Sequence, residues 1–301
     1  MTVIEHRSLG TGGPSVPVLG FGAWPIGGGL GRVEKAAAIA TVRAAIDAGI
    51  TLIDTAEGYR TSEAVIGEAL RGGYRDRCFL ASKASVDFTP GGIRRALENS
   101  LRALRVDHVD LYQIHSWNPE VPVEQSMQEM SRLKEEGKIR FIGVSNFLPE
   151  HMERAAAACP FVSNQVRYSL LFREIESGTV DSCRQRGIGI LVHSPLAKGL
   201  LTGRYTPIST FAPDDERSGF SDFKGAAFAG HLARAERLAA VAREKGISLV
   251  QLAIAWTLRL PTVSCTLVGA KSPAQIADHL GAAGVRFTTE ELQKIDRALA
   301  G

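Results

Sequence analysis

Four side chains suited to proton transfer fall at, or just past, the ends of short apolar runs. Asp54 and Tyr59 lie in Ile53-Asp54-Thr55-Ala56-Glu57-Gly58-Tyr59, Lys83 ends Phe79-Leu80-Ala81-Ser82-Lys83, and His115 ends Leu111-Tyr112-Gln113-Ile114-His115. A phenol, with a pKa of about 10, is a weak acid at neutral pH. A nearby ammonium favours the phenolate and so strengthens the phenol as a donor. A carboxylate would hold that ammonium charged and in place, and a neutral imidazole can donate a hydrogen bond to a carbonyl oxygen. The set suits delivery of a proton to an oxygen that gains negative charge. Singly, each residue also reads as a cap, a buried ion-pair partner or a stray ring; four at adjacent strand ends point to a site.

The residues can meet only if the elements carrying them are neighbours. Apolar runs at 19–22, 51–55, 78–83, 109–115, 139–144, 161–166, 187–193 and 263–268 alternate with amphipathic helical stretches, the pattern of a parallel sheet. Eight such strands predict a (β/α)8 TIM barrel, whose active site is built at the C-terminal ends of the strands. There, neighbouring strand ends are about 5 Å apart. Before the first strand, the segment from Ser8 to Leu19 is turn-rich and reads as a β-hairpin. Ile93, Ala96, Leu97, Leu101 and Leu104 share one helical face. Ser248 with Gln251, and Thr288 with Glu291, have capping-box spacing. The second box opens an extra C-terminal helix at 289–299. Residues 196–230 lack a persistent period and read as a long functional loop. No linker or repeat interrupts the pattern, so one domain over 1–301 is expected.

Composition narrows the class. The 301-residue chain is 45% hydrophobic and 22% charged, as expected of a globular protein with a sizeable core. A net charge of +3, evenly spread, argues against nucleic acid and is compatible with a small anionic ligand. Cys78, Cys159, Cys183 and Cys265 are far apart among apolar neighbours and read as buried free thiols. The stretch Met1–Arg7 has no signal-peptide core, and no run reaches membrane-spanning length. A cytoplasmic location away from membranes is expected; nothing in the sequence dictates an oligomeric state.

Asp54-Thr55-Ala56-x-x-Tyr59, Ser82-Lys83, Asp110-Leu111-Tyr112-Gln113-Ile114-His115, Ile142-Gly143-Val144-Ser145-Asn146-Phe147 and Asn164-Gln165-Val166-x-Tyr168 resemble signatures of the aldo-keto reductase superfamily. So do Ser194-Pro195-Leu196, Gly199-Leu200-Leu201-Thr202-Gly203 and Gly269-Ala270-Lys271-Ser272. The likeness covers essentially the whole chain in the family's order. It implies a nicotinamide-dependent reductase of aldehydes and ketones, reversible as an alcohol dehydrogenase, needing neither metal nor flavin. By resemblance Tyr59 is the general acid, Lys83 with Asp54 tunes it, and His115 orients the carbonyl.

The same likeness places the cofactor. Ser145, Asn146 and Gln165 match the residues that hold the carboxamide, Ser194, Pro195 and Leu196 the segment along the pyrophosphate, and Arg204 a basic position of relatives. Ala23, Trp24 and Gly269 join this set, with Trp24 and Trp117 as walls of the substrate pocket. Ser272 and Pro273 read independently as N-cap and first residue of a helix, a terminus that can bind phosphate. With the likeness, Lys271, Ser272 and Gln275 become candidates for the adenosine 2′-phosphate, which favours NADPH over NADH.

Some positions depart from the family. No Gly-x-Gly-x-x-Gly follows a strand, which disfavours a Rossmann site; Gly27, Gly28, Gly29 and Gly31 read instead as a substrate-side loop. His193 stands where an aromatic ring usually stacks on the nicotinamide, and its protonation would disfavour the oxidised cofactor. His279 replaces a usual asparagine at the adenine, and Asp278 a usual glutamate. Phe211, Phe220, Phe223 and Phe228 either line an apolar pocket or anchor their loop. Two other functions compete: an NADPH-binding, redox-sensing regulatory subunit with little turnover, and a metal-dependent hydrolase using His115, His193 and Asp54. The second lacks a His-x-His pair and would set Lys83 beside its metal.

Overall fold

Eight apolar runs pair side by side in parallel and close on themselves. In the computed structural model, which describes residues 4–300, the barrel strands are β3 (Leu19–Gly22), β4 (Leu52–Asp54), β5 (Phe79–Ala84), β6 (Val109–Ile114), β7 (Ile139–Ser145), β8 (Ser163–Arg167), β9 (Gly189–His193) and β10 (Val263–Val268). They run in chain order around the barrel, with β10 closing against β3. Each strand read from the sequence is present, with ends moved by two residues at most. Residues 1–3, the start of the segment read as lacking a signal peptide, lie outside the described residues.

The hairpin is β1 (His6–Ser8) with β2 (Ser15–Pro17), paired antiparallel. It plugs the N-terminal end of the barrel. Leu9 and Val16 pack with Leu52, Ala81, Leu111, Leu191 and Cys265 in an apolar interior layer. Because strand side chains alternate faces, the residue two positions after each inward leucine or alanine also points inward. Leu52 is thus followed by Asp54, Ala81 by Lys83, Leu111 by Gln113, and Leu191 by His193. The register sets Asp54 opposite Ala81 and Lys83 opposite Gln113. A polar layer lies directly above the apolar one, and this is how the sequence builds a site on top of a core.

The surrounding helices are α1 (Lys35–Asp47), α2 (Ser62–Ala69), α3 (Pro90–Leu104), α4 (Val123–Glu135), α5 (Pro149–Ala158), α6 (Thr179–Arg186), α7 (Gly225–Glu244), α8 (Leu249–Thr257), α9 (Pro273–Leu280) and α10 (Thr289–Ala300). On α3, Ile93, Ala96, Leu97 and Leu104 are buried, and the Thr89 hydroxyl accepts from Gly92 N at the N-cap. Both capping boxes form: Ser248 Oγ accepts from Gln251 N at 3.1 Å, and Thr288 Oγ1 from Glu291 N at 3.2 Å. The extra helix α10 is tied to α7 by Lys294–Glu244 and by Arg237 on the Ala298 carbonyl.

The irregular stretch ends sooner than the sequence suggests. Helix α7 begins at Gly225, and Phe228, His231, Ala235, Leu238 and Ala242 fall on its buried face. Gly225 and Gly230 obscure this period in the sequence, and packing of that face overrides them. No helix among the described residues is long and apolar enough to cross a membrane.

Candidate active site

The structure brings the four proton-transfer residues together at the C-terminal rim. Lys83 is fully buried and gives its three protons to Asp54 Oδ1 at 2.5 Å, the Thr55 carbonyl at 2.8 Å and the Tyr59 hydroxyl at 3.4 Å. That is an ammonium's full complement. The other carboxylate oxygen, Asp54 Oδ2, accepts from Gln165 Nε2 at 2.9 Å and Gln113 Nε2 at 3.1 Å. His115 Nε2 is 3.5 Å from the Tyr59 hydroxyl, while its Nδ1 is 2.6 Å from Ser85 Oγ. The Tyr59 and His115 rings meet edge to face, with centroids 5.5 Å apart.

Tyr59 is placed by a turn rather than by a strand. Its amide donates to the Ala56 carbonyl, and its own carbonyl accepts from Ser62 at the start of α2. A Cβ at Gly27 would lie 2.2 Å from that Tyr59 carbonyl. Only glycine lets the loop after β3 close against the tyrosine. Trp24 enters from this loop, its ring 6.5 Å from that of Tyr59.

Burial outweighs the ammonium at the phenol. Removal from water pushes Tyr59 above its usual value, Lys83 pulls it back, and Asp54 pushes it up again. The expected influence of Lys83 is present, yet the net direction is upward and the phenol holds its proton. Lys83 itself is raised: its burial opposes the charge, but Asp54 and Tyr59 together favour it. His115 is pushed down to about 3 by burial, then by Lys83 and His193. His193 falls to about 3 for the same first reason. Both imidazoles are therefore neutral near pH 7, and protonation of His193 is no obstacle to an oxidised cofactor.

A cavity of about 440 Å³ opens beside this group. Its lining includes Ala23, Trp24, Asp54, Tyr59, His115, Asn146, Gln165, His193, Ser194, Pro195, Leu196, Arg204, Gly269, Lys271, Gln275 and His279. Three residues expected at a ligand are absent from that wall. Ser145 lies one layer behind, donating to the Gln165 carbonyl at 2.9 Å. Ser272 is the N-cap residue of α9, but its hydroxyl does not cap. Trp117 stacks flat on His151, with centroids 4.0 Å apart, and packs edge-on against Phe147. These partners occupy both a face and an edge of its ring.

Amides and hydroxyls interlock along one wall. Asn146, in a left-handed conformation with φ 58° that asparagine tolerates, donates to the His115 carbonyl at 3.1 Å and to Ser145 Oγ at 3.0 Å. Its Oδ1 is 3.1 Å from His193 Nε2, and His193 Nδ1 is 3.0 Å from Ser194 Oγ. At the far end, Lys271 donates to the Leu30 and Gly31 carbonyls, and Gln275 Oε1 accepts from the Lys271 amide at 2.7 Å. His279 is buried, and its Nδ1 has no protein partner.

Several residues at or beside the cavity escape sequence reasoning. Gln113, which secures Asp54, has the inward parity of Lys83 and His115 as its only signal. Lys198, Tyr205 and Arg217 lie in the aperiodic stretch, where no spacing marks them. Arg217 joins Asp215, the Leu30 carbonyl and the Tyr205 hydroxyl, so the loops after β3 and β9 meet across the cavity. The phenylalanines of this stretch divide. Phe211, Phe223 and Phe228 cluster with Tyr205 as an anchor, whereas Phe220 lies beneath the Lys198 ammonium.

A parallel barrel carrying one buried acid–base cluster on its C-terminal rim, with a long cleft beside it, defines a TIM-barrel enzyme. Residues 18–300 match the model of the Aldo/keto reductase family, and the chain belongs to that family. It is 35% identical to the aldo-keto reductase YhdN of Bacillus subtilis over 98% of this chain and 94% of that one. Among solved structures, it resembles the glycerol dehydrogenase AKR11B4 from Gluconobacter oxydans with a TM-score of 0.87 and 31% identity, covering 99% and 94% of the two chains. An aldo/keto reductase from Klebsiella pneumoniae, solved with NADP and acetate, matches with a TM-score of 0.77 and 31% identity over 98% and 95%.

Proposed function

We propose that this chain is a single-domain, NADPH-dependent reductase of small aldehydes and ketones, reversible as an alcohol dehydrogenase. The observation that carries the reading is the Tyr59 hydroxyl, set between the Lys83 ammonium at 3.4 Å and His115 Nε2 at 3.5 Å on a cavity wall. The free thiols accord with a reducing, cytoplasmic setting.

The cavity suits a nicotinamide dinucleotide. Gln165 Oε1 accepts no protein hydrogen bond among the described residues, leaving an acceptor for an amide beside Tyr59. Lys271, Arg204 and Arg217 make the opposite end positive, and the unpartnered His279 Nδ1 lies at that end. The Klebsiella relative solved with NADP supports the same assignment. When bound, the reduced nicotinamide supplies the hydride.

The chain supplies the rest. With the Ser85 hydroxyl donating to Nδ1, the His115 proton sits on Nε2, so Nε2–H and the Tyr59 hydroxyl converge on one carbonyl oxygen. This tautomer is the one the proposed role requires, and the Ser85 hydroxyl can serve Nδ1 as its donor. As the carbonyl carbon gains its new C–H bond, the Tyr59 O–H bond breaks and its proton goes to the developing alkoxide. Lys83 stabilises the phenolate left behind, and Asp54 keeps Lys83 in place. Solvent returns the proton.

Because burial pushes His115 and His193 down to about 3 and Tyr59 above its ordinary range, neither imidazole nor the phenol changes charge between about pH 6 and 9. The kcat for reduction should be flat across that interval. A break near the ordinary histidine value would show that an imidazolium takes part.

Lys271 is the proposed partner of the 2′-phosphate. Lys271→Met should raise the Kd for NADPH by about tenfold and leave NADH within about twofold, since a charge-assisted hydrogen bond is worth about 1.5–3 kcal/mol. Equal losses for the two cofactors, measured by fluorescence titration, would place Lys271 elsewhere. The function itself is tested by a panel of carbonyl and alcohol substrates with each cofactor. Absence of NADPH binding and of aldehyde reduction would overturn it.

A further inference from the structure

Among the described residues, two cations of the cavity wall have no protein partner: Arg204, which is exposed to solvent, and Lys198, which is half-buried. Of the others, Arg167 is paired with Glu174 and Arg217 with Asp215, while Lys271 is held by backbone carbonyls. The Lys198 ammonium has no carboxylate within 4.0 Å and no hydrogen-bond acceptor among the described residues. It is clamped between two rings instead, 3.1 Å from the Phe220 centroid and 5.1 Å from that of Trp24. Aromatic faces attract a cation but do not replace the acceptors it had in water. A half-buried ammonium with three unused donors is therefore a ready site for an anion.

The backbone fixes this placement. Ala197, Lys198 and Gly199 have φ of 48°, 55° and 104°, and two of them are not glycine. Such conformations persist where the surroundings over-determine them. Here the Tyr205 hydroxyl donates to the Lys198 carbonyl at 3.4 Å, and a Cβ at position 199 would lie 2.5 Å from that same hydroxyl. The lysine is thus aimed at the cavity by the loop and not by chance. Its value is lowered to about 8, first by burial, with Glu216 and Asp222 opposing and Arg167 adding to the fall. It is still largely charged at neutral pH.

Trp24 connects this cation to the chemistry, its ring centroid 5.1 Å from the Lys198 ammonium and 6.5 Å from the Tyr59 ring. We propose that Lys198 is a specificity-determining residue that recognises an anionic group, a carboxylate or phosphate, carried by the substrate at the end remote from its carbonyl. The preferred substrates are then carbonyl acids with about one aromatic ring's width between the two groups. This inference rests on the carbonyl-reductase reading. A phosphate of the cofactor would present the same chemistry, so the test separates the two sources.

The probes are 4-carboxybenzaldehyde and its neutral methyl ester. In the wild-type protein with NADPH, kcat/KM should favour the acid. Lys198→Met should reduce the acid-to-ester ratio at least tenfold, through KM, while Lys198→Arg keeps it within about threefold. An unchanged ratio in Lys198→Met overturns the proposal. So does an equal loss on both aldehydes with a weakened Kd for NADPH, which would assign the cation to the cofactor. Calorimetric titration of benzoate needs no turnover. Benzoate affinity lost in Lys198→Met supports the anion site even if neither aldehyde is reduced, an outcome that would refute only the reductase reading; affinity equal in the two proteins refutes the site.

Discussion

Replacing Tyr59 by phenylalanine should lower the kcat for carbonyl reduction by about two to four orders of magnitude, the usual contribution of a positioned general acid. The ring remains, so the packing against Trp24 and His115 is kept, and the Kd for NADPH should stay within about twofold. Only the hydroxyl proton goes. Lys83 keeps two of its three acceptors, Asp54 and the Thr55 carbonyl, and stability should fall by no more than about 1 kcal/mol. Steady-state rates and cofactor titration on the same sample separate these outcomes. Equal turnover in the variant would remove Tyr59 from the chemistry.

Lys83→Met should have the largest effect on stability. The ammonium and carboxylate are buried together, and removing one partner of such a pair leaves the other charge uncompensated, at about 3–5 kcal/mol. Gln113 and Gln165 still satisfy Asp54 Oδ2, but Oδ1 and the Thr55 carbonyl lose their donor. Adding Asp54→Asn removes the stranded charge, so the double variant should recover about half of the loss in urea unfolding. Its activity should not return, because the phenolate would lack a stabilising cation. A Lys83→Met protein as stable as the wild type would contradict the buried pair.

Much of the fold is legible because each strand is both apolar and short, and because the same period of two that hides Leu52, Ala81 and Leu111 also aims Asp54, Lys83 and Gln113 inward. The strand-borne part of the rim set follows from that parity, whereas Tyr59 is placed by the turn after β4. The irregular segment after β9 is different. Lys198, Tyr205 and Arg217 owe their positions to left-handed turns and to contacts with Leu30 and Phe220, none of which leaves a repeating mark in sequence. Trp117 shows the complementary case. Its place after His115 suggests a pocket wall, while the structure stacks it flat on His151 of α5, a long-range contact that leaves no mark in the local sequence. At Tyr59 the residue types give the right direction for Lys83's influence and miss the size of the burial, which only the packed structure reveals.

The most direct test of the central claim is transfer of label from C4-deuterated NADPH to 4-nitrobenzaldehyde by the purified protein, followed by mass spectrometry of the alcohol. Direct hydride delivery, with Tyr59 supplying the proton, predicts one deuterium on the carbinol carbon from one C4 stereoisomer and none from the other, and labelled alcohol formed at least about a hundredfold more slowly with Tyr59→Phe. Alcohol formed without label, or no alcohol from a protein that binds NADPH, would contradict it.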